Sequence, residues 1–169
     1  MSQTFQANDT IIYGTHGICR IAEIAEKDLT GVKKTYYVLH PVGSGNSTYF
    51  VPTDSETLVA KMRKILSEAE INELIDSMAA ETADWIESDV DRKAHYARVI
   101  AKGDPVELIR VIKAIFLEKK AREAVGKRLH AADEHFLKDA EALLYGEFRY
   151  VLKLSENQLM TYIFDRIEK

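Results

Sequence analysis

Trp85 is the only tryptophan in the chain, and a ring of this size can serve two different purposes. Most lone tryptophans are core residues, often packed at the start of a helix. On the surface and beside cations, the ring can instead insert at a partly unstacked base step in the minor groove of DNA. The residues that surround Trp85 favour this second interpretation.

A cationic and aromatic stripe accompanies Trp85. The capping pattern at 84–87 predicts a helix that runs to about residue 102. Helical spacing then places Trp85, Arg92 and Tyr96 on one stripe, away from the predicted buried face. In this arrangement the Arg92 guanidinium would meet a phosphate beside the inserted ring. The predicted buried face consists of Ile86, Val90, Ala94, Ala97 and Ile100.

Further cations could support a DNA contact. Lys93 adjoins the stripe, and Lys127 and Arg128 follow a glycine that breaks the helical pattern. Residues 86–130 carry 11 basic and 7 acidic side chains, although the whole chain has a net charge of −4. A basic island in an acidic chain indicates a local anion-binding face. The acids that oppose such a contact are Asp84, Glu87 and Asp89.

Catalysis and metal binding find little support in the residue pattern. His16 and Cys19 could act as base and nucleophile, but no third group that would orient them is evident. His130 and His135 are five positions apart and do not share a helix face. The sequence therefore predicts no enzyme, no cofactor and no metal site.

Composition also bounds the location of the protein. No stretch is long and apolar enough to span a membrane, and the N-terminus shows no secretory signal. A single cysteine excludes an internal disulfide. These features predict a cytoplasmic protein without a membrane contact.

The first third of the chain indicates short strands, and the remainder indicates helices. Turn sequences at 14–17, 28–31 and 43–46 separate the strands, and no helical crossover connects them. A fifth strand is expected near 64–66, and a helical period begins at the capping box of Ser67 and Glu70. The predicted fold class is therefore α+β, with a small antiparallel barrel at 1–66 and an all-α bundle of about five helices at 67–169. The predicted strands are Thr10–Tyr13, Ile18–Ile24, Tyr36–His40 and Tyr49–Val51.

Several short motifs follow one another along the chain. They are Asn8–Gly17, Tyr36–Leu39, Val51-Pro52, Trp85, Lys102–Asp104, Lys127–Leu129 and Leu144–Glu147. In this order they resemble the CarD/CdnL family of bacterial transcription regulators. The N-terminal module of that family also occurs as the polymerase-interacting domain of the transcription-repair coupling factor. The resemblance covers nearly the whole chain.

The resemblance implies a Tudor-like, SH3-like barrel that binds the β subunit of RNA polymerase. It assigns this contact to the fourth strand, so Tyr49, Phe50 and Val51 are the expected polymerase-binding residues. Strand alternation leaves at least one of these bulky side chains exposed, and an exposed edge offers backbone pairing to a partner strand. Lys27, in a predicted turn, is expected to add a polar contact at the rim.

The resemblance further implies a helical domain that contacts DNA at the upstream edge of the transcription bubble. Trp85 then corresponds to the family's wedge, which helps to hold the promoter open. Arginines follow this tryptophan in well-known members, whereas Glu87 and Ser88 stand here. The expected DNA contact is therefore weak and dependent on polymerase.

We therefore expect a monomeric, non-enzymatic transcription regulator that binds polymerase and stabilises the open promoter complex. One alternative is a polymerase- or protein-binding adaptor without a significant DNA contact. A more remote alternative is a small enzyme that uses His16 and Cys19. The expected DNA-binding residues are Trp85, Arg92, Lys93, Tyr96, Lys127 and Arg128.

Overall fold

The computed structural model describes residues 4–43, 46–81 and 83–167. The chain divides into two compact units, Met1–Ile65 and Leu66–Lys169. The first unit is built on a β-sheet and the second on helices, which confirms the predicted α+β class. In the described part of the chain, none of the helices is long and apolar enough to cross a membrane.

The N-terminal unit is a five-stranded antiparallel sheet with the strand order β4-β3-β2-β1-β5. The strands are β1 Thr10–Tyr13, β2 Ile18–Asp28, β3 Lys33–Pro41, β4 Tyr49–Pro52 and β5 Met62–Lys64. The pairing of β2 with β3 shifts register between Ile21 and Glu23. Such a bulge increases the local twist and lets the sheet curve around its core. The buried core residues of this unit are Phe5, Ile11, Tyr13, Cys19, Ile21, Leu39, Val51 and Met62.

The β2–β3 hairpin is longer than the sequence predicted. Its turn is fixed where the Asp28 carboxylate accepts a hydrogen bond from the Gly31 N–H at 3.0 Å. Lys27 therefore lies inside β2 opposite Lys34, and its predicted position in a turn is wrong. A one-turn helix, α1 at Glu56–Val59, was not predicted. The predicted turn at 43–46 lies partly outside the described residues.

The helical unit contains five helices in its described part. They are α2 Glu68–Ser77, α3 Asp89–Lys102, α4 Pro105–Glu123, α5 Ala131–Leu152 and α6 Glu156–Ile167. The predicted capping box is confirmed, because Ser67 Oγ accepts from Glu70 N–H while the Glu70 carboxylate accepts from Ser67 N–H. Asp104 likewise caps α4 in front of Pro105. The fully buried residues that join these helices include Ile71, Ile75, Ile115, Leu144, Phe148 and Leu159.

The third helix begins four residues later than predicted. Its N-cap is Ser88, whose hydroxyl accepts a hydrogen bond from the Asp91 N–H at 3.3 Å. The predicted cap at Asp84 is wrong for a physical reason. In a helix that starts at Asp84, the Ile86 carbonyl would accept a hydrogen bond from the backbone N–H of the residue four positions later. In the structure it accepts a hydrogen bond from an Arg92 guanidinium nitrogen instead, at 2.9 Å. Trp85 consequently lies outside the helix, in a segment without regular secondary structure.

Candidate functional site

The first candidate surface is the edge of the sheet formed by β4. Among the described residues β4 pairs with β3 alone, so its other edge carries backbone groups without a strand partner. Phe50 is 40% exposed at this edge, and its ring meets the buried Tyr36 ring edge-on at 6.3 Å. An edge of this kind can add a strand from a partner protein.

The residues predicted beside Phe50 are placed differently from one another. Tyr49 is partly buried, and its ring lies 4.4 Å from the His16 ring and 5.9 Å from the Tyr13 ring. Val51 is fully buried in the core, so a partner could reach only its backbone. The predicted contact at Val51 therefore stays a prediction for backbone pairing and not for its side chain. Lys27 is partly exposed, and its Nζ lies 3.3 Å from a Glu23 carboxylate oxygen.

The second candidate surface surrounds Trp85 in the helical unit. The ring is partly buried and packs against the helical core. The guanidinium carbon of Arg92 lies 4.4 Å from the ring centroid, and that of Arg122 lies 6.0 Å away. Distances up to about 6 Å allow a cation–π attraction. The indole thus combines an exposed portion with a cationic environment.

Arg92 does not form the exposed stripe that the sequence predicted. Its side chain is 2% exposed, and its Nε and Nη2 donate to the two carboxylate oxygens of Asp133 at 2.9 and 3.0 Å. Nη2 also donates to Asp89 at 2.6 Å. The hydrogen bonds to Asp133, which are the largest cause, and the hydrogen bond to Asp89 raise the pKa of Arg92. The guanidinium therefore stays charged although it is buried. Because the guanidinium is engaged inside the protein, its predicted phosphate contact is wrong.

Tyr96 is also buried rather than exposed. Its ring meets the Phe136 ring edge-on at 5.8 Å, and its hydroxyl finds no hydrogen-bond partner among the described residues. Burial raises the pKa of Tyr96 to about 12. The predicted DNA contact through Tyr96 is therefore wrong as well. Conversely Val90, assigned to the buried face, is largely exposed, because the ion pair turns the Arg92 side of α3 inward.

Three predicted cations remain on the surface. Lys93, Lys127 and Arg128 are all exposed, the last two in the loop between α4 and α5. In the described part of the chain no ion pair involves Lys127 or Arg128. Exposed side chains of this type can meet phosphates without reading base sequence.

Sequence reasoning missed Asp133, which organises the surroundings of Trp85. Asp133 is fully buried in the first turn of α5, 41 positions from its partner Arg92. No local pattern links residues so far apart. The single signal was an acid in the first turn of a helix, where the dipole favours negative charge.

Cys19 and His16 do not form a reactive pair. Cys19 is fully buried, and burial raises the pKa of its thiol to about 11. The thiol is therefore protonated at neutral pH, whereas a nucleophile requires the thiolate. Within the described ranges no group of three or more metal-binding side chains was found.

A concave surface lies elsewhere in the helical unit. A cavity of about 680 Å³ opens among α4, α5 and α6 and contains none of the predicted site residues. Its mostly apolar walls include Ile112, Phe116, Tyr145, Leu159, Met160 and Phe164. It is therefore separate from the surroundings of Trp85.

Comparison with known proteins identifies the class of the N-terminal unit. Residues 5–66 match the family described as the CarD-like/TRCF RID domain, which confirms the resemblance for this part of the chain. The chain is also similar to the Bacillus subtilis (strain 168) protein YdeB, which is named as a candidate transcription factor. The two are 25% identical over 158 residues, which cover 94% of this chain and 99% of that protein. Both similarities support a transcription-related factor with an RNA polymerase-interacting type of domain, a class that is generally non-enzymatic.

Proposed function

We propose that this protein is a transcription regulator that binds the β subunit of RNA polymerase through β4. In the same proposal the helical unit stabilises the open promoter complex, with Trp85 in contact with DNA at the upstream edge of the bubble. Lys93, Lys127 and Arg128 supply weak contacts to the phosphates. Residues 1–66 form the polymerase-binding domain, and residues 67–169 form the DNA-contacting domain.

The unpaired edge of β4 is the observation that carries the proposal. An open strand edge beside an exposed aromatic ring supports docking by strand addition, because backbone pairing gives affinity and the ring gives specificity. Phe50 is the exposed aromatic residue of this edge. The match to the CarD-like/TRCF RID domain covers the same strand and supports the same partner.

The position of Trp85 supports the DNA half of the proposal. A partly buried indole flanked by guanidinium groups offers an apolar edge that can insert where base stacking is already weakened. Its affinity for DNA need not be high, because the polymerase contact raises the local concentration of the helical unit. Tighter binding to the open than to the closed complex shifts that equilibrium by the difference.

A second candidate function is an adaptor that binds polymerase without a useful DNA contact. Two observations favour it. Asp84 and Glu87 are exposed beside Trp85 and repel phosphates, and Arg92 is buried and cannot offset them. The two candidates differ in whether Trp85 matters to the promoter.

The polymerase contact is tested by replacing Phe50. We expect Phe50→Asp to abolish co-elution of the protein with the polymerase β subunit, because a charge at the pairing edge disfavours a docked strand. The matched control is Val32→Asp, which introduces the same charge at a site of the N-terminal unit that is 58% exposed and lies between β2 and β3. Equal retention of co-elution in both variants contradicts the β4 contact.

The DNA contact is tested by Trp85→Ala in an open-complex lifetime assay with cognate polymerase. We expect the variant to retain polymerase binding and to lose most of the protein's effect on the lifetime. An unchanged lifetime beside unchanged polymerase binding contradicts the wedge and favours the adaptor.

A further inference from the structure

The segment that carries Trp85 has no regular secondary structure that would fix its backbone. Residues 83–88 belong neither to a helix nor to a strand. Such a segment adopts many conformations unless side chains fix it. The position of the indole must therefore be held by groups outside the segment.

The guanidinium of Arg92 reaches this segment from α3. Its Nη1 donates to the Ile86 carbonyl at 2.9 Å, and its guanidinium carbon lies 4.4 Å from the centroid of the Trp85 ring. One side chain thus holds both the backbone next to the tryptophan and the ring itself. A guanidinium can do this because its donors form a fixed planar fork and its flat face can stack on a ring.

Asp133 holds the guanidinium in turn. Both of its carboxylate oxygens accept hydrogen bonds from Arg92, and the Asp133 side chain is fully buried. The geometry is bidentate, which fixes the orientation of the guanidinium as well as its position. A chain of contacts therefore runs from the first turn of α5 through α3 to the indole.

We propose that Arg92 and Asp133 are positioning residues that hold Trp85 in its contact orientation. The proposal rests on the proposed function and assigns it two residues that do not touch DNA themselves. A contribution to stability does not account for the pair, because well-packed apolar residues of similar volume often stabilise a core equally well. The guanidinium differs from such residues in donating to the Ile86 carbonyl.

The experiment uses Trp85 as its own reporter, since the chain has one tryptophan. In the full chain, the double variant Arg92→Met/Asp133→Leu replaces the ion pair by apolar side chains. We expect its thermal unfolding to stay close to that of the wild type. The fluorescence anisotropy of Trp85 should fall and its quenching by acrylamide should rise, because the segment is released. The open complex should dissociate about fivefold faster, the lower end of typical coupling effects.

Two further variants make the result specific. Arg92→Lys keeps the charge beside Asp133 but loses the planar fork that binds Asp133 and Ile86 together and stacks on the ring, so we expect the same changes in Trp85 fluorescence to a smaller extent. If the double variant does not fold, Arg92→Lys alone tests the positioning role. The matched control is Arg166→Gln/Asp76→Asn, which removes another bidentate arginine–aspartate pair, with distances of 3.0 and 2.9 Å, between α2 and α6. This control should leave the fluorescence of Trp85 and the lifetime unchanged.

The outcomes separate the two proposals. Unchanged anisotropy and quenching in a folded double variant, or in Arg92→Lys, overturn the positioning role whatever the promoter assay gives. A control pair that changes the Trp85 signal equally overturns it too. If Trp85→Ala leaves the open-complex lifetime unchanged, the proposed DNA contact fails. Lower anisotropy and stronger quenching of Trp85 in the Arg92 variants would still support the positioning of the indole by Arg92 and Asp133.

Discussion

In the N-terminal unit the candidate contact surface is part of the sheet, whereas in the helical unit it is an irregular segment that a buried ion pair holds in place. The edge of β4 is positioned by backbone hydrogen bonds to β3. Trp85 is positioned by the side chains of Arg92 and Asp133, which come from two different helices. The first surface depends on strand pairing and the second on charges buried away from water.

This difference predicts how each surface responds to substitution. A strand edge keeps its position when an exposed side chain changes, because the backbone ladder remains. A segment held by a buried charge loses its position, and its unit loses stability, when one partner of that charge is removed. Each unit carries one convenient reporter, Cys19 in the sheet and Trp85 in the helical unit.

The largest effect is expected from Asp133→Ala. The substitution leaves the Arg92 guanidinium buried without its bidentate partner, which should lower the unfolding free energy of the helical unit by about 3–5 kcal/mol. Urea unfolding followed by Trp85 fluorescence measures this loss. The alkylation rate of Cys19 should stay unchanged, because the thiol lies in the other unit.

The control for this substitution is another acid of the same helix. Asp139 lies near the surface of α5 and pairs with His135 at 3.4 Å. Asp139→Ala should change stability by less than about 0.5 kcal/mol. An equal loss of unfolding free energy from both substitutions would mean that the buried ion pair of Asp133 does not stabilise the helical unit more than a surface acid does. The proposed difference between the two units would then be contradicted.

A smaller effect is expected from alkaline pH on the sheet unit. Burial raises the pKa of the Cys19 thiol from its ordinary value of 9.0 to about 11. Because the folded state holds this proton more tightly than the unfolded state does, the stabilisation is complete below pH 9 and is lost as the pH rises to 11. The full loss should be about 3 kcal/mol. Urea unfolding followed by methyl NMR signals of Ile11 and Ile21 measures it in the sheet core.

Cys19→Ala separates this titration from that of other groups. The variant lacks the thiol, so its unfolding free energy should decline less between pH 9 and pH 11 than that of the wild type. The same decline in both proteins would show that the buried thiol does not contribute.

The sheet unit was largely predictable because its determinants are local. Alternating β-branched and aromatic residues between turns specify strands, and β1 has the predicted bounds at Thr10–Tyr13. Helix caps are equally local, as Ser67 and Asp104 illustrate. The extent of the β2–β3 hairpin escaped prediction, because its exposed outer residues carry no clear apolar alternation.

The surroundings of Trp85 were not predictable for the opposite reason. A helical wheel assigns charged residues to the outside, and it assumes a helix that starts where the first capping pattern stands. Here Ser88 supplies the cap instead, and Asp133 brings Arg92 into the core from 41 positions away. A long-range ion pair of this kind changes which face of a helix is buried, and no pattern among neighbouring residues predicts it.

The smallest effect is expected from the exposed cations of the α4–α5 loop. Each phosphate contact that is lost should reduce the slope of the logarithm of the open-complex binding constant against log salt concentration by about 0.9. We expect Lys127→Gln/Arg128→Gln to reduce this slope. The stability of the open complex at low salt should change little, because the contact with polymerase tethers the protein to the promoter.

The matched control is Lys138→Gln/Arg149→Gln, which removes two exposed cations of α5 outside the proposed contact. An equal change of slope in both variants would indicate net charge rather than a local contact, and no change in either would contradict a phosphate contact through this loop. A change confined to Lys127 and Arg128 would extend the DNA-facing surface of the helical unit from Trp85 to the loop, while the polymerase contact of the sheet unit stays unaffected.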